Sequence, residues 1–289
     1  MIPYSKQSVS KDDIDAVNQV LLSNFLTQGP KIEEFEFALA EYFDSKYAIC
    51  CSSGSSALHL AYAGLGAEPS SIAIVPAVTF SATANAFKYL GSKVIFCDVD
   101  PKTGLLSIEH LEEILSKLNQ LKENTKGFIT PVSFAGMVAP LQRCREISNK
   151  YGFHLIEDAS HSFGATNEKT DRSGDCERVD ASCLSFHPVK HICCGEGGAI
   201  LTNSSELNSI AKRMRSHGIH RPHGDEHATP WHYEQVELGW NYRMTDIHAA
   251  LGISQLKRVD QLISMRRKIA LRYDDVFQET EFLCHSRNL

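Results

Sequence analysis

The sequence contains no apolar run approaching the ~20 residues that a membrane-spanning helix needs. Its opening, MIPYSKQSVSKDD, lacks the apolar stretch of a secretory signal. No membrane partner is expected, and the cytoplasm is the expected compartment. An excess of positive charge is also missing, since 29 Lys and Arg stand against 35 Asp and Glu, a net charge of -6. A nucleic-acid track demands a basic surface, so nucleic acid is excluded as an expected partner. The cysteines do not form a secreted disulfide framework. There are nine, an odd number, with adjacent pairs at Cys50-Cys51 and Cys193-Cys194, which reads as reduced thiols. His217, His220, His223, His227 and His232 crowd one Pro- and Gly-broken stretch, but no cysteine lies among them and the paired spacing of structural zinc is absent. No metal is expected. Repeats, low-complexity tracts and obvious flexible linkers are also missing.

What remains is an ordinary globular composition, 43% hydrophobic and 22% charged. At 289 residues the chain is long enough for one substantial core and part of a second. Helical periodicity over 11–22 and 31–42 predicts two helices around the Gly29-Pro30 break. YAICC then enters a Ser- and Gly-rich turn and leaves as a helix containing Ala57, Leu58, Leu60 and Ala61. The runs SIAIVP, KVIFCDV, GFITPVSF, FHLIEDAS, ASCLSF and GGAILTN are too short for helices and end in Gly, Pro, Asp or Ser, so they predict strands. SIEHLEEILSKL and PLQRCREISNKYG interleave with them at helical spacing. Alternating strand and helix predicts an α/β fold, a mostly parallel central sheet with helices on both faces. After Asn241 strands cease, and 245–277 reads as one long helical stretch.

In such sheets ligands bind beyond the carboxyl ends of the strands, which directs attention to Asp158, Ser185 and Lys190. A pyridoxal-phosphate site needs a lysine, an acid for the pyridine nitrogen, a phosphate cradle, a stacking ring and a group at the phenolic oxygen. Lys190, in SFHPVKHICCGEGGA, precedes a glycine turn where backbone can approach a ligand; a surface lysine is the plainer alternative. Asp158 in HLIEDASHS ends a strand and suits the pyridinium nitrogen, or else caps the next turn. His161 is placed for the phenolic oxygen, or is a core histidine. Gly54, Ser55 and Ser56 open a helix, where amides and hydroxyls can receive phosphate. Phe80 in TFSATAN is a stacking ring or a core aromatic.

Together these residues resemble the DegT/DnrJ/EryC1/StrS sugar aminotransferase family, a branch of fold-type I enzymes with the aspartate-aminotransferase-like fold. The resemblance runs from LTQGPKIEEFE through CSSGSSALHLAY, PAVTFSATANAF, IEDASHSFGA, SFHPVKHICCGEGGAILTN and RSHGI to LGWNYRMTDIHAALGISQLKR. It implies pyridoxal 5'-phosphate as cofactor. Lys190 is then the catalytic lysine that bonds it, Asp158 its pyridine partner, His161 its phenolic contact and Phe80 its stacking ring. Gly54, Ser55, Ser56 and Ser185 surround its phosphate. Asn241 matches an asparagine that reaches the phosphate in a neighbouring subunit, implying a homodimer with shared active sites. The IPYSKQ start, LTQGP turn and SFHPVKHI segment resemble members that move an amino group from L-glutamate to C4 of a UDP-linked 4-keto-6-deoxy-N-acetylhexosamine, as in pseudaminic acid synthesis. Tyr4, Thr27 and Gln28 then lie towards the sugar nucleotide. Another nucleotide-linked 3- or 4-keto sugar is the alternative substrate.

Two departures from the family pattern stand out. Cys193-Cys194 replaces a usual pair of threonines, losing hydroxyls and placing a thiol where it is expected to trap the cofactor aldehyde as a thiazolidine. The chain is also shorter than its relatives. Residues 1–250 are expected to form a large cofactor-binding domain and 251–289 a linking helix and the start of a small C-terminal domain that is largely absent. A truncated, inactive binding or assembly protein is the rival from another class. A sugar dehydratase, which carries histidine in place of the lysine, is disfavoured by Lys190.

Overall fold

The computed structural model describes residues 5–118, 125–167, 171–220 and 231–277. Its frame is a seven-stranded sheet built from β1 (Tyr47–Cys51), β2 (Ile72–Pro76), β3 (Lys93–Cys97), β4 (Gly127–Ile129), β5 (His154–Asp158), β6 (Ala181–Ser185) and β7 (Gly198–Thr202), in the order β1-β7-β6-β5-β4-β2-β3. Neighbours from β3 across to β6 are parallel; β7 alone runs the other way, antiparallel to both β6 and β1. Being opposed only to β7, β1 points the same way as the parallel strands. All six therefore deliver their carboxyl ends to one edge.

Strand side chains alternate between faces, and the alternation here sorts the core into two layers. Ile49, Cys51, Ala73, Val75, Phe128, Ile156, Cys183 and Ile200 pack against α3 (Gly54–Gly64), α4 (Ser81–Tyr89) and α7 (Ser205–Met214). On the opposite face Ala48, Cys50, Leu184, Ala199 and Leu201 meet α2 (Pro30–Phe43) and α8 (Asp246–Leu256). Ile74, Ile129 and Leu155 meet α5 (Ile108–Lys117) and α6 (Leu141–Tyr151). Helices thus cover both faces, as the near-continuous apolar strands require.

Local signals set the ends of these helices. Ser10 and Asp13 close a capping box on α1 (Lys11–Leu21), Pro30 opens α2 at its first turn, and Gly152 ends α6 in the left-handed region. The expected single helix over 245–277 is instead two, α8 and α9 (Val259–Phe277), broken at Lys257 and Arg258. The break falls at Arg258, whose guanidinium donates to the buried Asp13 carboxylate at 2.6 Å and to the Ser8 carbonyl. Periodicity does not register such a long-range ion pair. α8 runs across the expected boundary at residue 250 and packs on α1 and α2.

The eight cysteines among the described residues are all free thiols and buried. Among the same residues, no helix is long and apolar enough to cross a membrane, and no group of three His, Cys, Asp or Glu is placed to hold a metal ion. His217 and His220 lie by a two-residue ribbon, β8 (Ile219–His220) with β9 (Glu234–Gln235). His223 and His227 lie outside the described residues.

Candidate active site

At the carboxyl edge of the sheet, β1 runs into Ser53, which caps α3. Its hydroxyl accepts from the Ser56 amide at 3.1 Å, while the Ser56 hydroxyl accepts from the Ser53 amide at 2.9 Å and donates to the Ser53 carbonyl at 2.8 Å. This closed box corrects one expectation. Ser56 is 4% exposed and both its amide and its hydroxyl are engaged, so it shapes the turn rather than offering donors to a ligand. The amides of Gly54 and Ser55 have no protein acceptor among the described residues, and they sit at the positive end of α3. An anion fits there.

Two close approaches hold this cradle. A Cβ at Gly54 would lie 2.8 Å from the Ser185 Cβ, and one at Gly198 would lie 2.6 Å from the Gly54 nitrogen. Ser185, ending β6, is therefore packed directly on the turn. The Ser52 amide donates to the Tyr242 carbonyl at 2.8 Å, which draws the segment around Asn241 alongside. Asn241 itself pairs with Ser216 in an isolated bridge and is exposed on this chain.

β5 ends in Glu157 and Asp158, whose side chains leave opposite faces of the sheet. Asp158 is 3% exposed and accepts from the Thr83 hydroxyl at 2.7 Å and from the Ser160 amide at 3.2 Å. Thr83 shares a second hydroxyl contact with Thr79 at 2.7 Å, one helical turn earlier. The carboxylate is thus oriented from α4 and keeps acceptor capacity for a further partner. Glu157 is fully buried. It accepts from the hydroxyls of Ser133, Ser173 and Ser182 and from the Gly174 amide, and burial pushes its carboxyl above the usual range against those bonds. It pins three segments behind the site.

Lys190 follows β6 in a turn where its amide bonds the His187 carbonyl at 2.9 Å. Burial holds its amine below the ordinary lysine value; Asp158 opposes that shift and Arg266 adds to it. Asp158 ends β5, the parallel neighbour of β6 that Lys190 follows, so both stand at the carboxyl edge of the sheet. His161 is half-buried and lies against the Phe134 ring at 5.5 Å. Burial and then Lys190 lower its pKa against Asp158, so it is neutral at pH 7 and carries one N–H to donate. His191, beside the lysine, is pushed down to about 3 by burial, Arg266, His161 and Lys190. Phe80 is 70% exposed at the start of α4, which removes the core-aromatic alternative.

The thiols do not behave as expected. Cys194 is fully buried in the core formed by α2, α8 and β7, and Cys193 is 6% exposed. Burial raises both thiols, so both stay protonated and weakly nucleophilic. Their own nitrogens are in peptide bonds, which rules out a thiazolidine. Thr27 bridges Thr245, and Gln28 adopts a left-handed φ of 56° on the surface. Neither hydrogen-bonds Lys190 or Asp158. Tyr4 lies outside the described residues. Thr83, Glu157 and Arg266 were not foreseen; only Thr83 carried a signal, sitting one turn beyond Thr79 in TFSATAN.

A profile of the DegT/DnrJ/EryC1/StrS aminotransferase family matches residues 7–288. A UDP-4-amino-4,6-dideoxy-N-acetyl-beta-L-altrosamine transaminase of Campylobacter jejuni is 40% identical over 282 residues, covering 98% of this chain and 71% of that protein. A UDP-2-acetamido-2-deoxy-3-oxo-D-glucuronate aminotransferase of Pseudomonas aeruginosa is 35% identical, covering 93% of this chain and 70% of that one. Among solved structures, Helicobacter pylori PseC, an aminotransferase involved in the biosynthesis of pseudoaminic acid, superposes with a TM-score of 0.86 at 32% identity, over 97% of this chain and 71% of its own. A Streptococcus pneumoniae protein in its PLP form gives 0.84 at 28% identity, over 96% and 72%.

Proposed function

The chain belongs to the DegT/DnrJ/EryC1/StrS aminotransferase family, whose cofactor is pyridoxal 5'-phosphate, and on that premise we propose that it moves an amino group from L-glutamate to C4 of a UDP-linked 4-keto-6-deoxy-N-acetylhexosamine. The single observation that carries the reading is the meeting of Lys190, Asp158 and the α3 cradle at one sheet edge. The residues present fit the cofactor. Two amides without acceptors among the described residues suit its phosphate, a buried carboxylate with spare acceptor capacity suits a protonated ring nitrogen, and an exposed phenyl ring at Phe80 suits its face. His161 supplies a neutral N–H for its phenolic oxygen, and Ser185 a hydroxyl beside the phosphate.

When bound, pyridoxal phosphate supplies an electron sink for the carbanion left as a proton departs from the carbon bearing nitrogen. Lys190 would hold the cofactor covalently, and its free amine would serve as the base and acid that moves the proton. A lowered amine pKa suits that work, because a larger fraction is unprotonated near neutrality. Asp158 would hold positive charge on the ring nitrogen, and Thr83 orients the carboxylate for that task. Glutamate leaves as 2-oxoglutarate, and the acceptor ketone leaves as an amine.

The substrate reading is drawn from the Campylobacter jejuni relative. The Pseudomonas aeruginosa relative, which acts on a 3-oxo sugar, supports a second acceptor. Asn241, exposed on this chain, would reach the phosphate of a second copy, so the active form is a homodimer in the cytoplasm. Leu238 and Phe25, 83% and 53% exposed, supply apolar surface for such a contact. Residues 1–250 would hold the cofactor and 251–289 begin the small domain. Thr27 and Gln28 would face the sugar nucleotide.

The test supplies purified protein with pyridoxal phosphate, L-glutamate and either a UDP-4-keto-6-deoxy-N-acetylhexosamine or a UDP-3-keto sugar, and reads the products by mass spectrometry. A 4-amino sugar and 2-oxoglutarate in equal amount support the proposal. Amination of the 3-keto sugar alone moves the assignment to the second acceptor, and no amination of either overturns both.

A further inference from the structure

The backbone that carries Lys190 is held almost entirely by itself. The Lys190 amide bonds the His187 carbonyl, the Cys194 amide bonds the Phe186 carbonyl at 2.9 Å, and the Val189 amide reaches His187 Nδ1 at 3.5 Å. All of these are local. Among the described residues, hydrogen bonds from another element come only from Arg266 on α9, whose guanidinium donates to the Lys190 carbonyl at 2.7 Å and to the Val189 carbonyl at 3.2 Å. α9 is itself anchored. Tyr42 donates to Asp260 at 3.1 Å, Arg258 holds Asp13 at the α8 junction, and Val259 and Ile263 enter the core.

We propose that Arg266 is a positioning residue for Lys190, tying the lysine loop to α9 through two carbonyl hydrogen bonds so that the amine is held at the sheet edge. The proposal rests on the reading of Lys190 as the cofactor lysine. A single charged nitrogen, Nη2, donates to both successive carbonyls and so ties the turn to α9 at one point. Its charge acts in the same sense. The groups that face the Lys190 amine are Asp158 from the end of β5, His161 from the following turn, His191 from its own loop and Arg266 from α9. Both histidines are neutral, so Asp158 and Arg266 set the balance, and Arg266 favours the free amine.

The test labels the apoprotein with acetic anhydride across a pH series and reads the Lys190 peptide by mass spectrometry against the exposed Lys46. In Arg266→Gln, labelling of Lys190 at pH 8 is expected to fall about three- to tenfold, because losing the positive charge nearby favours the unreactive ammonium, and the pH of half-labelling rises. Arg266→Lys keeps the charge and is expected to retain the native half-labelling pH, a rescue that a merely structural role would not give. Lys190 labelling that is native at every pH in Arg266→Gln overturns the proposal, as does a shift in Arg266→Lys equal to that of Gln. Borohydride reduction of native protein incubated with pyridoxal phosphate separates the two readings. An adduct on a lysine other than Lys190 defeats the assignment of Lys190, whatever Arg266 does.

Discussion

Replacing Gly198 by alanine is the sharpest small perturbation of the anion cradle. Gly198 opens β7 and pairs with Cys51 of β1 and Ser185 of β6, so it lies between the two strands that build the cradle. An added Cβ would stand 2.6 Å from the Gly54 nitrogen and closer still to the Ser53 carbonyl oxygen. Both obstacles are backbone. Reaching ordinary contact demands a displacement of about 1 Å in a close-packed interior, and forcing such overpacking costs about 1–3 kcal/mol. The same displacement moves the Gly54 and Ser55 amides off the phosphate position. Losing one charge-assisted bond of about 1.5–3 kcal/mol weakens cofactor binding about tenfold or more. Gly64→Ala, at the other end of α3, is the control, since its Cβ would meet side-chain ends alone, Leu207 Cδ1 at 2.6 Å and Ile210 Cγ2 at 3.8 Å, and no backbone. It should leave stability within about 1 kcal/mol, helped by alanine's helix preference. Urea unfolding of the apoproteins and absorbance titration with pyridoxal phosphate read both effects. If Gly198→Ala unfolds and binds cofactor as the native chain does, the tight cradle is refuted.

Other consequences follow from single contacts. Thr83→Val removes the hydroxyl that orients Asp158 and should lower apoprotein stability by about 1–2 kcal/mol, with Thr83→Ser restoring it in the same urea assay. Ser53→Ala opens the capping box and should cost about 1 kcal/mol, measured as a shift in thermal midpoint. Asp13 is fully buried. Burial alone would raise its carboxyl, but bonds from the Ser10 amide, Ser254 and Arg258 hold it below the usual range. A depressed folded value means stability that is present above the unfolded carboxyl value near ~3.9 and is lost as pH falls through the folded one. Asp13→Asn should therefore be less stable at pH 7 by about 2 kcal/mol, and the gap to the native chain should close below about pH 4. A gap that persists at acid pH would contradict the ion-pair account. Uptake of pyridoxal phosphate should rise with pH about a midpoint below the ~10.4 of an ordinary lysine, because burial disfavours the Lys190 ammonium; a midpoint at or above that value, followed by absorbance, speaks against it.

Much of the fold is legible locally. Each expected strand segment contributes a strand, because an apolar run that ends in Gly, Pro or Asp has few other uses, and α3 begins where Ser53 and Gly54 say it should. What local reading misses is decided by partners distant in the chain. Thr83 meets Asp158 only once α4 lies over the end of β5, and Arg266 meets Lys190 only once α9 crosses the lysine turn. Arg258, at the break between α8 and α9, meets Asp13 from the other end of the sequence. Ser56 looked like a phosphate donor because its spacing is that of a ligand loop, yet the same spacing builds a capping box, and the cap took the hydroxyl. The cysteines at 193 and 194 looked reactive by position alone; burial makes them core.

The central claim is that Lys190 is the residue that bonds the cofactor. Purified protein is incubated with pyridoxal phosphate, reduced with borohydride, digested and mapped by mass spectrometry. The account predicts one stoichiometric phosphopyridoxyl adduct on the peptide containing Lys190, absent in Lys190→Ala. An adduct on another lysine, or one that survives Lys190→Ala, would contradict it.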